Sequence, residues 1–331
     1  MKALFHLSKL IIASTMLLGP VVLLAQSAQK PVTMKVGHVL SEADNVHQAL
    51  LRFKEAVAKR TAGAVTVSIH SGSSLGSLRQ MFESIGLGTQ EAGVFDAGTP
   101  ANAAPVIGIL ELPYIFENLD HVHRVVDGPT GKQIFETTRT STGLRTIASY
   151  DTTFRKTFSK RPINSLADLK GMKVRVPEVP SYIETFKLLG ANPTPIPWGD
   201  LYTGLSTGVV DAFENKAEAA FGARLHEQAK FAAYTGHIFV VNLLMVNDRW
   251  FSSLTPDAQK ALMESAKETE QWQRERALQS EVEFEDKMKA AGVQFTRPDT
   301  AALQKAVAPI LSTYGTRHKV APMIEKLRND R

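Results

Sequence analysis

The sequence has no cysteine in its 331 residues, and this absence removes several classes of protein at once. Disulfide bonds, thiolate metal sites, a cysteine nucleophile and the lipid anchor of a lipoprotein all require that residue. A strong excess of basic charge is also missing, since 38 Lys and Arg stand against 33 Asp and Glu. No run of Lys and Arg is interleaved with aromatic residues, as a nucleic-acid-binding surface requires. We therefore expect no nucleic acid partner.

Sequence signatures of cofactor binding are equally scarce. The chain contains no G-x-x-x-x-G-K-[ST] phosphate-binding loop, and its Gly86-Leu87-Gly88 segment lacks the third glycine of a dinucleotide fingerprint. His121 and His123 are two residues apart, so their side chains diverge on a helix and do not form a metal-binding pair. We predict neither a metal site nor a cofactor.

The N-terminal segment has the pattern of an export signal. Lys2 and Lys9 precede an apolar run over residues 10–24, and Ala25-Gln26-Ser27 offers a cleavage site with small residues at its two outer positions. This pattern predicts a secretory signal peptide over residues 1–28. The alternative, a membrane anchor, is less favoured because the run is short for a bilayer span and contains hydroxyl residues, glycine and proline. We expect a mature protein that is soluble in the periplasm.

The stretch over residues 169–216 alternates local patterns in the order strand, helix, strand, helix, strand. Its first strand is predicted at residues 172–176 and its third at residues 209–213. The first helix is predicted to begin with a capping box formed by Ser181 and Glu184. Parallel strands joined by helices bring their carboxyl ends to one edge of the sheet, where open α/β sheets bind ligands.

Three side chains with suitable chemistry follow these strand ends. Arg175 lies near the end of the first strand, Trp198 follows the second and Asn215 follows the third. The guanidinium group binds a carboxylate through two parallel hydrogen bonds, and the indole and carboxamide groups suit a small planar anion. The alternative is that Arg175 is a surface residue and Trp198 a packing residue. Their convergence at one sheet edge favours a binding site.

Residues 34–96 repeat the same strand and helix order, which indicates two similar α/β units. The predicted fold is α/β with two lobes and a ligand cleft between them, as in periplasmic binding proteins. Residues 146–158 and 236–246 read as strands that cross between the lobes and form a hinge. A helix over residues 255–292, about 50 Å long at about 1.5 Å per residue, is expected to span both lobes. Its charged residues, including Glu270 and Glu281, are predicted to face solvent.

A competing interpretation is a secreted serine esterase. The segment Gly72-Ser73-Ser74-Leu75-Gly76 matches the G-x-S-x-G motif between a strand and a helix, which nominates Ser74 as a nucleophile. No Asp and His later in the chain stand out as triad partners. The binding interpretation predicts instead that Ser73 or Ser74 donates a hydrogen bond to a ligand oxygen. We therefore predict that the protein is not an enzyme.

The sequence resembles the DctP-like family, the extracytoplasmic solute-binding subunits of tripartite ATP-independent periplasmic (TRAP) transporters. The resemblance covers essentially the whole mature chain. Its most specific segments are Gly37-His38-Val39-Leu40, Phe154-Arg155, the residues 165–177 that contain Lys173-Val174-Arg175-Val176-Pro177, Leu189 to Pro195, Thr207 to Asp211, and Glu214-Asn215.

The resemblance implies that Arg175 binds the substrate carboxylate, that Arg155 is a second positive partner and that Asn215 forms a hydrogen bond. It also implies that Trp198 forms a wall of the pocket and that the ligand passes to a permease with one small and one large membrane subunit. Other predicted substrate-binding residues are Tyr150, Phe213, His38, Ser73 and Asn242. The chain has Lys216 where many relatives have proline.

The resemblance also guides the predicted domain limits. We expect lobe I to comprise residues 29–152 and 241–280, and lobe II to comprise residues 153–240 and 281–331. We expect a monomer. A sensory receptor in place of a permease is an alternative partner that the sequence does not distinguish.

The substrate class stays open among four-carbon dicarboxylates, sugar acids, and small hydroxy or keto acids. Polar residues expected near the pocket, with Asp96 or Glu91 among them, favour a hydroxylated acid.

Overall fold

The computed structural model describes residues 29–330, and the predicted signal peptide at residues 1–28 lies outside them. The strands are β1 Val32–Gly37, β2 Val65–His70, β3 Ala92–Phe95, β4 Leu144–Phe154, β5 Lys156–Ser159, β6 Lys173–Val176, β7 Asn192–Pro195, β8 Ala212–Asn215, β9 Phe231–Ala233, β10 Phe239–Asn247 and β11 Gln294–Thr296. The helices are α1 Asn45–Arg60, α2 Leu78–Leu87, α3 Gly98–Ala101, α4 Leu119–Asp127, α5 Pro129–Thr142, α6 Pro180–Leu188, α7 Leu201–Ser206, α8 Ala217–Gly222, α9 Asp248–Ser253, α10 Pro256–Ala290, α11 Thr300–Val307, α12 Pro309–His318 and α13 Ala321–Asn329.

Two separate sheets form the centres of two lobes, as predicted. The sheet of the first lobe has the order β2-β1-β3-β10-β4, and that of the second lobe has the order β11-β9-β5-β8-β6-β7. In the first sheet β1 runs parallel to β2 and β3, while β10 is antiparallel to β3 and β4. In the second sheet β6 runs parallel to β7 and β8. The carboxyl ends of β6, β7 and β8 therefore lie at one edge.

Each sheet is covered on both faces. Leu243 and Met245 of β10 belong to one buried cluster, whereas Leu244 and Val246 belong to another. In the second sheet, Ala212 and its neighbour Phe213 likewise point into different clusters. Because successive side chains of a strand point to opposite faces, these assignments show apolar packing on both sides of each sheet.

The chain crosses between the lobes where the sequence predicts a hinge. β4 ends in the first sheet at Phe154, and β5 begins in the second sheet at Lys156, so Arg155 is the crossing point. The return crossing lies between β9 and β10, where Arg155 N–H donates to Ile238 O at 2.8 Å. The two crossing segments are thus hydrogen-bonded to each other at Arg155.

The long helix α10 contacts both lobes, but its predicted solvated face is wrong in part. Glu270 and Glu281 are buried. Glu270 Oε2 accepts from Ser149 N–H at 2.8 Å, and Glu281 Oε1 accepts from Ala217 N–H at 2.9 Å. These carboxylates attach the helix to backbone groups of both lobes. A polar sequence pattern does not distinguish such buried carboxylates from solvent-exposed ones. Among residues 29–330, no helix has the length and apolar character to cross a membrane.

Some predicted boundaries shift. The helix α6 begins at Pro180, with Val179 as its N-cap, so the predicted capping box at Ser181 is absent. Proline suits the first helical position because its missing N–H has no intrahelical partner there. The last three helices divide between the lobes: Leu303 of α11 is buried with β6, whereas Tyr314 of α12 and Leu327 of α13 join a cluster of the first lobe. Residues 281–331 are predicted to belong to lobe II, but Tyr314 and Leu327 are buried with the first lobe, because an apolar stripe does not specify which sheet buries it. Arg317 of α12 also pairs with Glu184 of α6 in the second lobe at 3.0 Å.

Candidate functional site

A cavity of about 690 Å³ lies between the two lobes. Residues from both lobes line it, and its polar wall includes Asp96, Thr152, Arg155, Arg175, Asn215 and Asn242. Trp198, Phe82 and Val94 contribute apolar surface. A volume of this order is typical of small-molecule sites. Five of the nine predicted binding residues therefore meet here, namely Arg155, Arg175, Trp198, Asn215 and Asn242.

Arg175 is a buried cation without a counter-charge. Its Nε donates to Ile196 O at 2.8 Å, and its Cζ lies 5.6 Å from the centre of the Trp198 ring. Among residues 29–330, no carboxylate lies within ion-pair distance of its guanidinium group. Burial lowers the pKa of Arg175 to about 10, even though Glu214 acts to raise it. A buried charge of this kind is costly unless an anion pairs with it.

Arg155 lines the same cavity but already has a carboxylate partner. Its Nη1 lies 2.8 Å from Glu214 Oε1 and 2.7 Å from Glu214 Oε2, and both side chains are buried. His237 Nε2 lies 3.8 Å from the same carboxylate. Burial alone raises the pKa of Glu214, but Arg155 and His237 lower it below its usual value. Glu214 therefore stays ionised and compensates much of the charge of Arg155.

Asn215 ends β8 with a fixed orientation. Its Oδ1 accepts from the Lys216 backbone N–H at 2.8 Å, which leaves the Nδ2 amino group as the polar end toward other partners. Asn215 and Asn242 both lie at the cavity, one from each lobe. The site thus combines a guanidinium group with amide groups.

Four predicted site residues do not line the cavity. Tyr150 is fully buried and its hydroxyl lies 3.4 Å from Thr269 Oγ1, whereas Phe213 stacks on Phe158 with ring centres 4.9 Å apart. Phe213 shares its strand face with the cavity residue Asn215, and Tyr150 shares its face with Thr152, but each lies two positions further along the strand from the cleft, where packed side chains cover that face.

His38 and Ser73 are also placed elsewhere. His38 is fully buried, and its Nε2 lies 3.0 Å from His47 Nδ1. Burial and the neighbouring His47 lower the pKa of His38 to about 4. Ser73 occupies a loop with a left-handed backbone and donates its N–H to His38 O at 3.1 Å.

Sequence reasoning gave little weight to Asp96 and missed Thr152 and Lys216 as cavity residues. Asp96 directly follows β3, and its Oδ1 accepts from Thr99 N–H at 2.8 Å and from Thr99 Oγ1 at 2.7 Å. The rule that ligands bind at strand ends nominates Asp96 in the same way as Asn215. Thr152 lies inside β4, and nothing in its local sequence distinguishes it from a packing residue.

The esterase interpretation is wrong. A nucleophile elbow requires a sharp turn directly from strand to helix, but β2 ends at His70 and α2 begins at Leu78. Ser74 is exposed in the intervening loop. Among the described residues, no histidine is hydrogen-bonded to it.

Side-chain contacts join the two lobes directly. The Tyr182 hydroxyl of the second lobe donates to Glu111 Oε2 of the first lobe at 3.1 Å. Burial raises the pKa of Glu111 well above its usual value. At a second contact between the lobes, Lys216 Nζ lies 3.0 Å from Asp44 Oδ2 and 2.8 Å from Glu218 Oε2. Asp44 is the N-cap of α1 in the first lobe, and Lys216 follows β8 in the second lobe.

Two α/β lobes, crossing strands and a cavity between them form the architecture of a solute-binding protein. The chain belongs to the family of bacterial extracellular solute-binding proteins, family 7, also called DctP, whose model matches residues 36–317. Proteins of this family serve TRAP transporters, so the family recognised from the sequence is confirmed.

Individual relatives extend over most of the chain. The 2,3-diketo-L-gulonate-binding periplasmic protein YiaO of Escherichia coli K12 is 32% identical over 263 residues, which cover 79% of this chain and 80% of YiaO. A TRAP periplasmic solute-binding protein of Xanthobacter autotrophicus Py2, solved with bound β-D-galacturonate, has a TM-score of 0.87 at 30% identity and covers 90% of this chain and 100% of its own. One from Roseobacter denitrificans OCh 114, with bound L-galactonate, has a TM-score of 0.86 at 30% identity, covering 90% and 99%.

Proposed function

We propose that this protein is a periplasmic receptor that binds a sugar acid and delivers it to the membrane permease of a TRAP transporter. The observation that carries this proposal is Arg175, a buried guanidinium group without a counter-ion at the wall of an interlobe cavity. The substrate carboxylate pairs with its free nitrogens through two parallel hydrogen bonds, since Nε already donates to the backbone. Arg155 assists with a charge that Glu214 partly compensates.

The remaining polar groups of the cavity suit hydroxyl groups. Asp96 supplies carboxylate oxygens that accept hydrogen bonds, while Asn215 supplies an amino group that donates. A carboxylate in the wall repels a second carboxylate of a ligand, which favours a hydroxylated monocarboxylate over a dicarboxylate. The sugar acids bound by the two solved relatives, galacturonate and galactonate, have this chemistry.

Export and delivery complete the proposal. The predicted signal peptide at residues 1–28 directs the chain to the periplasm, where the receptor acts as a monomer. The small and large permease subunits distinguish the loaded receptor by the relative position of its lobes, because a ligand shifts that equilibrium by binding one arrangement more tightly. The limits predicted for the lobes are part of this proposal, with α13 assigned to the first lobe and α12 in contact with both lobes.

The test is a thermal-shift screen of mature protein that has been unfolded and refolded to remove carried-over ligand. The panel contains galacturonate, glucuronate, galactonate and erythronate, with galactose as a neutral control and succinate as a dicarboxylate control. A ligand that binds only the folded state raises Tm by mass action. We expect a rise with at least one sugar acid and none with galactose. A rise with succinate alone contradicts the proposed substrate class, and no rise with any acid contradicts the proposed function.

A further inference from the structure

A buried group of three charges joins the lobes beside the cavity. Lys216 Nζ contacts Asp44 Oδ1 at 3.1 Å and Oδ2 at 3.0 Å, and it contacts Glu218 Oε2 at 2.8 Å. All three residues are buried, and Lys216 also lines the cavity. We call Asp44, Lys216 and Glu218 the cross-lobe triad.

The members of the triad belong to different lobes. Asp44 caps α1, whose Val46, Ala49 and Leu50 are buried with strands of the first lobe. Lys216 and Glu218 begin α8, whose Ala217 and Ala220 are buried with Phe158 and Phe213 of the second lobe. A relative movement of the lobes therefore separates Asp44 from Lys216.

A neighbouring residue adds two cross-lobe hydrogen bonds. Asn45 N–H donates to Glu218 Oε1 at 2.8 Å, and Asn45 Nδ2 donates to Glu218 Oε2 at 2.8 Å. Glu218 also accepts from Ser280 Oγ of α10 at 2.7 Å. The approach of the lobes thus forms one ion pair and two hydrogen bonds at this point.

The charge balance makes Lys216 the critical member. The triad contains two carboxylates and one ammonium group, so removal of Lys216 leaves two buried carboxylates facing each other without a cation. Burial and Glu218 raise the pKa of Asp44 to about 6, although Lys216 acts to lower it. Asp44 and Glu218 in turn raise the pKa of Lys216 above its usual value, against the effect of burial.

We propose that Lys216 is a positioning residue for solute binding: it neutralises the two carboxylates that lobe closure brings together, and so holds the cleft shut over the ligand. This inference rests on the proposed function, because closure matters only to a receptor that encloses its solute. The Lys216 side chain acts through Asp44 and Glu218, and its loss therefore appears mainly as faster ligand release.

The first experiment compares Lys216→Met with Arg139→Met by calorimetry and stopped-flow fluorescence, using a sugar acid identified in the thermal-shift screen. Arg139 is the matched control, since it is also a cation with two carboxylate partners, Glu136 and Asp248, but it lies outside the cavity wall and away from the triad. We expect Lys216→Met to weaken affinity by roughly a hundredfold, chiefly through the dissociation rate. We expect Arg139→Met to lower Tm and leave affinity within about threefold.

A second variant distinguishes charge balance from general damage. Adding Asp44→Asn to Lys216→Met removes one of the two facing carboxylates, and we expect it to recover at least about tenfold of the lost affinity. If Lys216 had only a structural role, the double variant would recover no affinity. The proposal is overturned if Lys216→Met binds as tightly as the unaltered chain, or if the double variant binds no better than Lys216→Met.

A ligand-independent measurement separates this inference from the proposed function. The chain has no cysteine, so Leu87→Cys on the first lobe and Val209→Cys on the second, both exposed, accept two spin labels specifically. Pulsed electron paramagnetic resonance then measures the distance between the lobes. We expect Lys216→Met to shift the distribution to longer distances with and without sugar acid. An unchanged distribution overturns the role of Lys216 even where sugar-acid binding is established, whereas a shifted distribution in a chain that binds no sugar acid supports that role and contradicts only the proposed function.

Discussion

Replacement of Arg175 by methionine is expected to stabilise the empty protein while it strongly weakens solute binding. The fall of the Arg175 pKa from its ordinary value to about 10 corresponds to about 3 kcal/mol of destabilisation of the charged group. Because a base with a lowered pKa is penalised in its charged form, this cost is present at all pH values below about 10. Methionine removes the cost but loses the hydrogen bond to Ile196 O, worth about 1 kcal/mol.

The expected net result is a gain of about 1–2 kcal/mol in the free energy of unfolding. For a protein of this size, this corresponds to a rise of roughly 2–4 °C in Tm without ligand. Binding changes in the opposite direction. Two charge-assisted hydrogen bonds contribute about 1.5–3 kcal/mol each, so their loss weakens affinity by roughly 10²- to 10⁴-fold.

The assay measures Tm without ligand and affinity by calorimetry for Arg175→Met, Arg175→Lys and the control Arg145→Met. Arg175→Lys keeps the charge and loses the two-pronged geometry, so we expect a loss of roughly ten- to hundredfold in affinity. Arg145 pairs with Asp248 outside the cavity, and we expect its variant to bind normally. The reasoning is refuted if Arg175→Met retains its affinity, or if it unfolds more readily than Arg145→Met.

Three further outcomes are expected. Glu214→Gln leaves Arg155 buried without its counter-ion, and we expect chemical denaturation to show a loss of about 3–5 kcal/mol, whereas an unchanged midpoint contradicts the importance of this pair. Asp96→Asn should weaken the binding of polyhydroxylated acids roughly tenfold in calorimetry and leave carboxylates without hydroxyl groups unaffected. The third outcome concerns Asp44, which faces Lys216 and Glu218 across the cleft. Its pKa is about 6 when it is buried, and we expect the ordinary lower pKa when the lobes separate. Closure of the lobes is therefore expected to bind a proton. Affinity should therefore fall about tenfold from pH 5 to pH 7.5, and Asp44→Asn should remove this dependence.

The other titratable groups near this pH response are identified by position. Glu281 of α10 accepts from the backbone N–H groups of Ala217 and Glu218 at 2.9 and 3.3 Å, behind the triad, and His47 lies three residues beyond Asp44 on α1. Burial lowers the pKa of His47, although Glu42 opposes this effect. A pH response that persists in Asp44→Asn would therefore contradict the role given to Asp44.

The sequence predicts those parts of the fold and site that depend on local pattern. Arg175, Trp198 and Asn215 follow strands whose parallel order can be inferred, and the structure brings all three to one cavity. The burial of Tyr150 and Phe213 could not be predicted, because they share strand faces with the cavity residues Thr152 and Asn215, and only the packed structure shows how far along each strand the cleft extends.

Ion-pair partners that come from distant segments of the chain could not be predicted from the sequence either. Arg155 and Glu214 are separated by 59 residues, and Asp44 and Lys216 by 172. Each reads as an isolated charge in its own segment. Only the three-dimensional structure shows that Arg155 and Lys216 have carboxylate partners, whereas Arg175 has none and can bind an anion.

The spacing of the buried carboxylates on α10 has a consequence for how such receptors can change over evolution. Glu270 and Glu281 are eleven residues apart, which is close to three full turns, so both face the body of the protein and hold backbone groups of different lobes. Insertion of one residue between them would turn Glu281 away by about 100° and release α8. Substitutions in the cavity wall can alter the choice of solute one side chain at a time, whereas the number of residues between Glu270 and Glu281 must stay constant. Even an insertion of seven residues, which nearly restores the direction of Glu281, would move that carboxylate about 10.5 Å along the helix axis and away from α8.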